Sequence, residues 1–538
     1  MGGFDKGLER EERKKERKER TNKRTNERTN EGVSRKEKLK KNIITVEKKN
    51  YVVAIDIGTS EVVIAVGSLT ADGAVNIETI VTEGCDGMLA GLVDNSQMVV
   101  DSLRRAREKA EQQAGIAITD AYVTISGKFV RCARYTDHVF VADADNCISE
   151  QDVNALSERM RNVKSSEGEI IMEHYPITYK GTSGSEMKNP VGSYSPQLSS
   201  TYNFILCDKE SRERLLRVFR AVGIKIRQLY AGAAVVGESV VNSDEKEEGV
   251  AVVDIGSGVT DVAVYSGGVL RYIATIPMGG AVVNADIRAY AGTIPVKMIE
   301  TLKRRYGSAV VDITPDELIT VKSGSRAIKP IQRLNLAAVI EARMSDIAEY
   351  VWSEIKESGY AKKLTAGIVL TGGGSALDHL ADLFQRVTKQ EVRVACAEMG
   401  VATEALEMVA SPNLTMAVSL LMRGAKVGPC PVGVLRTPTP AAVVESEPVK
   451  PAVPVTPVPE TPVAPVTPEA PQQPAEPEQK PVTVAEKLAE QVAQTAKVEE
   501  PDDDDLDEVP STKKRSLGEK INEWLNWAFK PEQGEDDF

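Results

Sequence analysis

The chain has 538 residues and a formal net charge of −12. This length indicates two or more domains, because single hydrophobic cores stop growing at roughly 250–300 residues. Residues 1–49 hold 18 Lys or Arg and 10 Asp or Glu, a net charge of +8, which leaves −20 for the rest of the chain. An acidic body argues against a nucleic-acid groove as the main function.

Cysteine and histidine usage excludes several enzyme classes. The six cysteines form no Cys-x-x-Cys pair, and the three histidines do not cluster. We therefore expect reduced thiols in a cytosol, with no disulfide framework, zinc site or histidine-based triad. No apolar run approaches the ~20 residues of a spanning helix, and the N-terminus is too charged for a signal peptide. The sequence predicts a chain that is soluble or lies on a membrane surface.

Residues 1–49 are predicted to be a disordered charged arm. They contain a short repeat, Thr21-Asn22-Lys23-Arg24 followed by Thr25-Asn26-Glu27-Arg28, and such tracts cannot bury enough apolar area to become ordered. Two interpretations stay open. In the first, the arm has no binding role and is a solvated tail or an overlong start of the chain. In the second, it contacts acidic lipid or RNA.

Ordered structure is expected from Tyr51 to about Gly424, because strand and helix patterns alternate there without long loops. The composition changes at Gly428. Of the 27 prolines in the chain, 18 fall between Gly428 and Pro510, and an acidic run closes this stretch. Residues 428–510 are therefore predicted to be a disordered linker, with extended, polyproline-like segments.

Three glycine-rich turns indicate phosphate binding. Two of them follow strands that end in Asp56 and Asp254 and lead into another strand, and the third lies between strand Gly367–Thr371 and a predicted helix, Ala376–Val387. Glycine turns let backbone N–H groups approach phosphate oxygens, and hydroxyl groups add donors. The turns give these candidates: Asp56, Gly58, Thr59, Ser60, Asp254, Gly256, Ser257, Gly258, Thr260, Asp261, Gly372, Gly373, Gly374 and Ser375.

Asp56 and Asp254 are the candidates for Mg²⁺, because a carboxylate at a strand end can hold the ion through water. Two common nucleotide motifs do not fit. A Walker loop needs a lysine after its glycines, and none follows Gly256 or Gly258. A dinucleotide fingerprint needs a helix where strands follow the first two turns. Two facing Asp-x-Gly hairpins would instead hold the two ends of one triphosphate.

The order of the turns resembles the phosphate-1, phosphate-2 and adenosine motifs of the superfamily of actin, sugar kinases and heat-shock chaperones. Within it, the chain resembles the bacterial cell-division family FtsA over about Tyr51–Gly424 and the C-terminal helix. The resemblance implies an α/β actin-like fold of two domains around a nucleotide cleft. It adds Gly279, Glu300 and Lys303 to the expected nucleotide site. The segments that carry it are Asp244–Gly258, Ile276–Gly280, Asp286-Ile287 and Ile299–Gly307.

The segment after the first hairpin is a second mark of the family. Ser96–Ala114 has the spacing of an amphipathic helix, Ala121–Ile125 and Val130–Tyr135 alternate like paired strands, and Ile148–Met160 is predicted to be a helix. This unit, 83–163, sits where FtsA-like proteins carry the inserted, SHS2-like subdomain 1C. The alternative is a plain continuation of the first domain.

The expected domain organisation follows from the turns, the composition and the resemblance. It comprises an arm over 1–49, a first actin-like domain over 50–82 and 164–248, subdomain 1C over 83–163, a second actin-like domain over 249–427, a linker over 428–510 and a membrane-targeting segment over 511–538.

Two departures from the family pattern bear on hydrolysis. Val259 stands where the phosphate-2 turn usually has Thr, so one hydroxyl donor is lost while Thr260 remains. Gly232 stands where the family is expected to offer an acidic residue that orients the attacking water. Gln228 and Glu238 are the candidate substitutes. We therefore expect binding of ATP with Mg²⁺ and at most slow hydrolysis.

Residues 511–538 are predicted to contain a membrane-binding amphipathic helix. Large apolar side chains share one helical face, basic residues flank it, and Trp and Phe on the apolar face are typical of an interfacial helix. The competing interpretation is a helix docked on the protein's own body or on a partner. The membrane-facing residues are Leu517, Ile521, Trp524, Leu525 and Phe529.

These features favour an adaptor that assembles on the cytoplasmic face of the bacterial membrane at the division site. The resemblance implies self-association into polymers, the tubulin-like division protein FtsZ as a partner through its C-terminal peptide, and contacts of subdomain 1C with cytoplasmic tails of later division proteins. No nucleic-acid partner is expected. The alternatives are a small-molecule kinase of the same fold, for which no sugar-kinase signature is found, and a chaperone-like ATPase, whose β-rich domain would replace the proline-rich linker.

Overall fold

A computed structural model describes residues 50–434, apart from 71–73, 292–293, 321, 324–325 and 328–329. The predicted arm, nearly all of the predicted linker and the predicted membrane-binding helix lie outside the described residues.

The first five-stranded sheet has the order β12-β7-β1-β2-β3. The pairs β1/β2 and β2/β3 are antiparallel, whereas β1, β7 and β12 run parallel. Its central strands are continuous apolar runs because both faces of the sheet are covered. The strands are β1 Tyr51–Ile57, β2 Glu61–Leu69, β3 Val75–Gly84, β7 Asp120–Ile125 and β12 Lys225–Ala231.

The second five-stranded sheet repeats this plan. Its order is β15-β14-β13-β20-β21, with two antiparallel pairs on one side of β13 and two parallel pairs on the other. One topology is therefore used twice in the chain. The strands are β13 Val250–Ile255, β14 Thr260–Ser266, β15 Val269–Ile276, β20 Ile368–Thr371 and β21 Val392–Val394.

A separate four-stranded antiparallel sheet, called the inserted sheet below, has the order β10-β9-β11-β8. One face packs against helix Glu150–Arg161 around a small apolar core that includes Leu156, Tyr202 and Phe204. The strands are β8 Val130–Phe140, β9 Glu169–Lys180, β10 Glu186–Met187 and β11 Gln197–Asp208.

The α-helices of the described residues are α1 Ser96–Ala114, α2 Glu150–Arg161, α3 Lys209–Val222, α4 Gly232–Val235, α5 Ser243–Glu248, α6 Gly280–Ala291, α7 Val296–Tyr306, α8 Arg333–Glu357, α9 Leu380–Thr388 and α10 Thr415–Val427. Short 3₁₀ helices cover Val236–Glu238, Ala361–Lys363, Gly373–Ala376, Thr403–Val409 and Pro412–Leu414. The remaining short strands are β4 Met88–Leu89, β5 Leu92–Val93, β6 Ile116–Ile118, β16 Leu318–Ile319, β17 Lys322–Ser323, β18 Arg326–Ala327, β19 Ile331–Gln332 and β22 Val432–Val434.

The strands are divided among the sheets differently from the predicted inserted unit, 83–163. Helix α1, whose predicted limits are confirmed, packs on β2 and β3. Strand β7 pairs with β1 and β12, and not with β8, so both elements belong to the first sheet. Beyond residue 163, β9 and β11 belong to the inserted sheet. Alternation of apolar and polar residues identifies a strand, but it does not say which sheet the strand joins.

Helix α10 packs against the first sheet. It is buried along most of its length, and it packs on β1 and β2. Gly424 lies against the ring of Tyr122, where a Cβ would come within 2.4 Å of Cδ2. Strand β22 then pairs with β6, and Cys430 N donates to Tyr51 O at 2.7 Å. The last described residues therefore lie beside the start of β1.

Among the described residues, no single helix is long and apolar enough to cross a membrane. The bent pair Thr403–Val409 and Pro412–Val427, at 103°, meets that requirement only when both parts are taken together.

Candidate nucleotide-binding site

The first two glycine turns have the same local geometry. Gly58 N donates to Glu61 O at 2.9 Å, and Gly256 N donates to Val259 O at 2.9 Å. Each bond closes a tight turn between two antiparallel strands, β1/β2 and β13/β14. The duplicated topology therefore carries a duplicated turn.

The two turns face each other at Thr59 and Gly258. A Cβ on Gly258 would lie 2.3 Å from Thr59 Oγ1 and 2.8 Å from Thr59 Cγ2, so a larger residue does not fit without separating the turns. The structure thus brings together the first and second predicted motifs from opposite sheets. That Gly58, Thr59, Ser60, Gly256 and Ser257 form a nucleotide site stays a prediction. Gly58 and Gly256 would shape the turns, because their own N–H groups already donate within them.

The third turn lies against the end of β13. Gly372 has φ +81°, and a Cβ there would lie 2.0 Å from Asp254 Oδ1. Gly374 is equally close to β13, since its Cβ would lie 2.5 Å from Ile255 Cγ2, and Ser375 Oγ donates to Gly372 O at 2.8 Å. Gly373 begins a 3₁₀ helix, and α9 begins only at Leu380 instead of Ala376. The predicted helix therefore starts one turn too early.

Three carboxylates gather where the sheets meet. Asp254 and Asp261 lie directly opposite each other on β13 and β14 and are buried, and Asp56 is the last residue but one of β1. Thr124 Oγ1 donates to Asp56 Oδ1, and Thr275 Oγ1 donates to Asp261 Oδ1 at 2.5 Å. Asp56 and Asp261 thus have hydroxyl donors, and no cationic side chain bonds to the three carboxylates among the described residues.

Burial shifts all three carboxylates toward their protonated forms. It raises the pKa of Asp56 to about 6, with the negative charges of Asp261 and Glu61 adding to the rise and the bond from Thr124 opposing it. Burial likewise raises the pKa of Asp261 to about 6, against the bonds from Thr275 and Ser126. The pKa of Asp254 is raised by burial and by the charges of Asp261 and Asp56. A bound cation would reverse this balance.

The chemistry of these carboxylates is compatible with a hydrated Mg²⁺ ion. Within the described ranges, no group of three or more His, Cys, Asp or Glu side chains is placed to hold a metal ion. Mg²⁺ keeps several of its waters in nucleotide sites. That Asp56 and Asp254 hold it through water stays a prediction; the charge of the ion would offset theirs and that of the phosphates.

The residues added by the resemblance lie behind the second turn. A Cβ on Gly279 would lie 2.4 Å from Gly256 O, and Gly280 N donates to that same oxygen at 2.9 Å. Lys303 Nζ bonds to Gly280 O at 3.0 Å and to the Glu300 carboxylate at 2.8 Å. Helix α6 therefore begins at the turn, and Lys303 of α7 holds its first residue. The hydroxyl of Thr260, a predicted nucleotide-site residue, donates to Met278 O at 2.9 Å.

Neither candidate for a water-orienting residue lies at the expected position. Gly232 leaves no room for a side chain, since its Cβ would lie 2.0 Å from Ser126 Oγ and 3.1 Å from Asp261 Oδ2. The Glu238 carboxylate bonds to Arg423 at 2.9 Å and to Lys426. Gln228 lies in the middle of β12, where it pairs with Tyr122 of β7, and not at the end of the strand that leads to Gly232.

Sequence reasoning missed three hydroxyl residues of the site, Thr124, Ser126 and Thr275. Two of them lie at the end of β7, which runs parallel to β1. The carboxyl ends of parallel strands meet at one edge of a sheet. Assignment of β7 to the first sheet therefore predicts that Thr124 and Ser126 lie beside Asp56.

Two sheets of one topology, each with a glycine hairpin at the facing edge, define an actin-like protein. A family model described as "Cell division protein FtsA" matches residues 251–419. The chain is 33% identical over 391 residues to Cell division protein FtsA of Escherichia coli (strain K12), which covers 71% of this chain and 92% of that protein. It is 31% identical over 384 residues to Cell division protein FtsA of Pseudomonas aeruginosa, covering 71% and 90%.

Among solved structures, the PilM–PilN type IV pilus biogenesis complex matches with a TM-score of 0.49 and 14% identity, over 70% of this chain and 98% of that one. The two FtsA sequences match this chain over most of their own length, and these matches identify its family. The chain belongs to the FtsA family of cell division proteins.

Gly258→Ala is expected to weaken ATP binding by about tenfold or more, because its Cβ would push the two turns apart. Thr59→Gly removes the atoms that the new Cβ meets and also the Thr59 hydroxyl, so the double variant is compared with Thr59→Gly alone and should bind ATP as that single variant does. Isothermal titration calorimetry with Mg·ATP measures all three variants. Unchanged affinity in Gly258→Ala would show that the contact between the turns is unimportant for binding.

Asp261→Asn is expected to stabilise the nucleotide-free protein at pH 7.5 by about 1–3 kcal/mol. Because the pKa of Asp261 is raised to about 6 on folding, ionisation costs stability above that pH and no longer does so below the unfolded pKa of ~3.9. The gain should therefore shrink as the pH falls from about 6 to about 4. Urea unfolding across this range tests it, and a gain that is independent of pH contradicts the burial argument.

Proposed function

We propose that this cell-division protein binds ATP with Mg²⁺ between its two actin-like sheets, assembles on the cytoplasmic face of the membrane and anchors the FtsZ ring there. The observation that carries the proposal is the contact of Thr59 with Gly258, because it joins one phosphate-type turn from each half of a duplicated fold. Each further step of the proposal has its own support.

ATP binding is supported by the donors that converge on this contact. The N–H groups of Gly58, Gly256, Gly280 and Ala281 donate to backbone carbonyl groups and hold the turns in shape. The proposed donors to a phosphate chain are the other N–H groups of the two turns and their Ser and Thr hydroxyls, which approach it from two sides. The carboxylates of Asp56 and Asp254 add the acceptors that a hydrated Mg²⁺ needs. The ion would neutralise charge that burial makes costly.

Hydrolysis is proposed to be slow. Gly232 offers no carboxylate to the attacking water, and Glu238 is bonded to Arg423 and Lys426. A general base must come within hydrogen-bond reach of its proton, directly or through one water. Bound ATP would then act mainly as a switch for self-association, with turnover as a slow reset.

Membrane attachment is proposed to use the apolar face formed by Leu517, Ile521, Trp524, Leu525 and Phe529. Each large side chain contributes about 1.5–3 kcal/mol when it is fully buried, and ordering the helix offsets much of the sum. One tail is therefore expected to bind reversibly. A polymer that displays many tails binds far more firmly, because the later contacts are intramolecular.

The partners rest on membership of the FtsA family and not on a contact in the structure. They are FtsZ through its C-terminal peptide, further copies of this chain, the cytoplasmic tails of later division proteins, and inner-membrane lipids. No observation on the described residues favours the kinase or chaperone alternatives.

Truncation before Ser511 is expected to abolish co-sedimentation with liposomes that contain anionic lipid. Trp524→Ala should weaken binding by about tenfold, because it removes one large side chain from the apolar face. Trp527→Ala is the matched control, since that indole falls outside this face in a helical projection. ATP and FtsZ should each increase the sedimented fraction of the full chain.

Full lipid binding by the truncated chain would show that the tail is not the membrane anchor. Equal losses in Trp524→Ala and Trp527→Ala would argue against an interfacial helix with this apolar face.

A further inference from the structure

We propose that Asn203 and Arg134 dock the inserted sheet on the edge of β15, and that this docking positions Thr275 and the second glycine turn for nucleotide binding. The two events would then strengthen each other. The inference rests on the proposed ATP binding, and it adds a positioning role for residues outside the cleft.

Strand β15 is an edge strand of the second sheet, so its outer carbonyl groups have no partner strand. Side chains of the inserted sheet occupy them instead. Asn203 Nδ2 donates to Arg271 O at 2.9 Å and to Leu270 O at 3.3 Å, and Arg134 Nη2 donates to Arg271 O at 3.3 Å. Asn203 is 1% exposed. Carbonyl groups buried at this contact would lose their partners if the sheet moved away.

The donors share one face of the inserted sheet. Asn203 and Arg134 are direct cross-strand neighbours on β11 and β8, so their side chains point the same way. Arg134 Nη2 also donates to Ser358 O at 3.2 Å, at the end of α8. In the opposite direction, Arg271 Nη1 donates to Ile177 O of β9. The contact is therefore reciprocal and joins the inserted sheet to two elements of the second domain.

The other end of β15 enters the candidate site. Thr275, four residues after Arg271, donates to Asp261 Oδ1 at 2.5 Å. The chain then continues through Met278, whose carbonyl oxygen accepts from Thr260 Oγ1 at 2.9 Å, to the glycines that pack on the second turn. At about 3.3 Å per strand residue, only ~13 Å of one strand separates the docking contact from the site.

This connection makes the two ends of β15 interdependent. A nucleotide that requires the second turn in place favours the position of β15 in which the inserted sheet is docked. Docking, in turn, lowers the free-energy cost of forming the site. Linkage requires the coupling to be equal in both directions. A partner that displaces the inserted sheet would therefore weaken nucleotide binding.

The test compares Asn203→Ala with Thr201→Val in the full chain. Thr201 lies two residues away on the same face of β11 and bonds to Thr136 at 2.8 Å, so it does not use β15. Asn203→Ala is expected to lower the affinity for Mg·ATP by about tenfold, within the usual range of coupling, and Thr201→Val to change it less than twofold. Calorimetry measures affinity, and urea unfolding shows that both variants fold.

A reciprocal measurement separates coupling from a merely structural role. Mg·ATP should slow hydrogen exchange in β8 and β11 of the wild type and of Thr201→Val, but not of Asn203→Ala. Arg134→Gln, at a more exposed position, gives a second variant if Asn203→Ala does not fold. ATP binding by the wild type with equal affinity in these variants overturns the coupling alone. A wild type that binds no ATP overturns the proposed function and the coupling together.

Discussion

The burial of three carboxylates at the meeting point of two sheets is the constraint on which the site depends. Burial is the first cause of the raised pKa of Asp56, Asp254 and Asp261. The charge of Asp261 adds to the rise for Asp56 and Asp254, and that of Asp56 adds to the rise for Asp254. Such an arrangement is costly without a compensating cation. It therefore gives a physical reason for a hydrated Mg²⁺ to accompany the proposed nucleotide.

The same constraint links the site to the rest of the molecule. The Thr275 hydroxyl of β15 donates a hydrogen bond to Asp261. Near its other end, β15 accepts hydrogen bonds from the inserted sheet. Glycines at 258 and 372 let the turns approach within distances that a Cβ would not allow. Nucleotide binding and the position of the inserted sheet are thus proposed to be coupled through β15.

Much of the site could be predicted from the sequence, because its signals are local. The glycine turns, Asp56, Asp254 and the limits of α1 are patterns of adjacent residues, and the structure brings the turns together. Which sheet a strand joins is not a local property, so the sequence pattern of β7 does not show that it pairs with β1 and β12. Thr124 and Thr275 are not predicted from the sequence, because only strand pairing places them beside the carboxylates. The membrane-binding helix, predicted from periodicity alone, lies outside the described residues.

The most direct test of the central claim is the affinity of the full chain for ATP, ADP and AMP, measured by calorimetry with and without Mg²⁺. The proposed clasp of two turns on the phosphate chain predicts that ATP binds most tightly, that AMP binds weakly or not at all, and that removing Mg²⁺ reduces the affinity for ATP. Equal affinities for ATP and AMP, or no binding of ATP with Mg²⁺ present, would contradict the account.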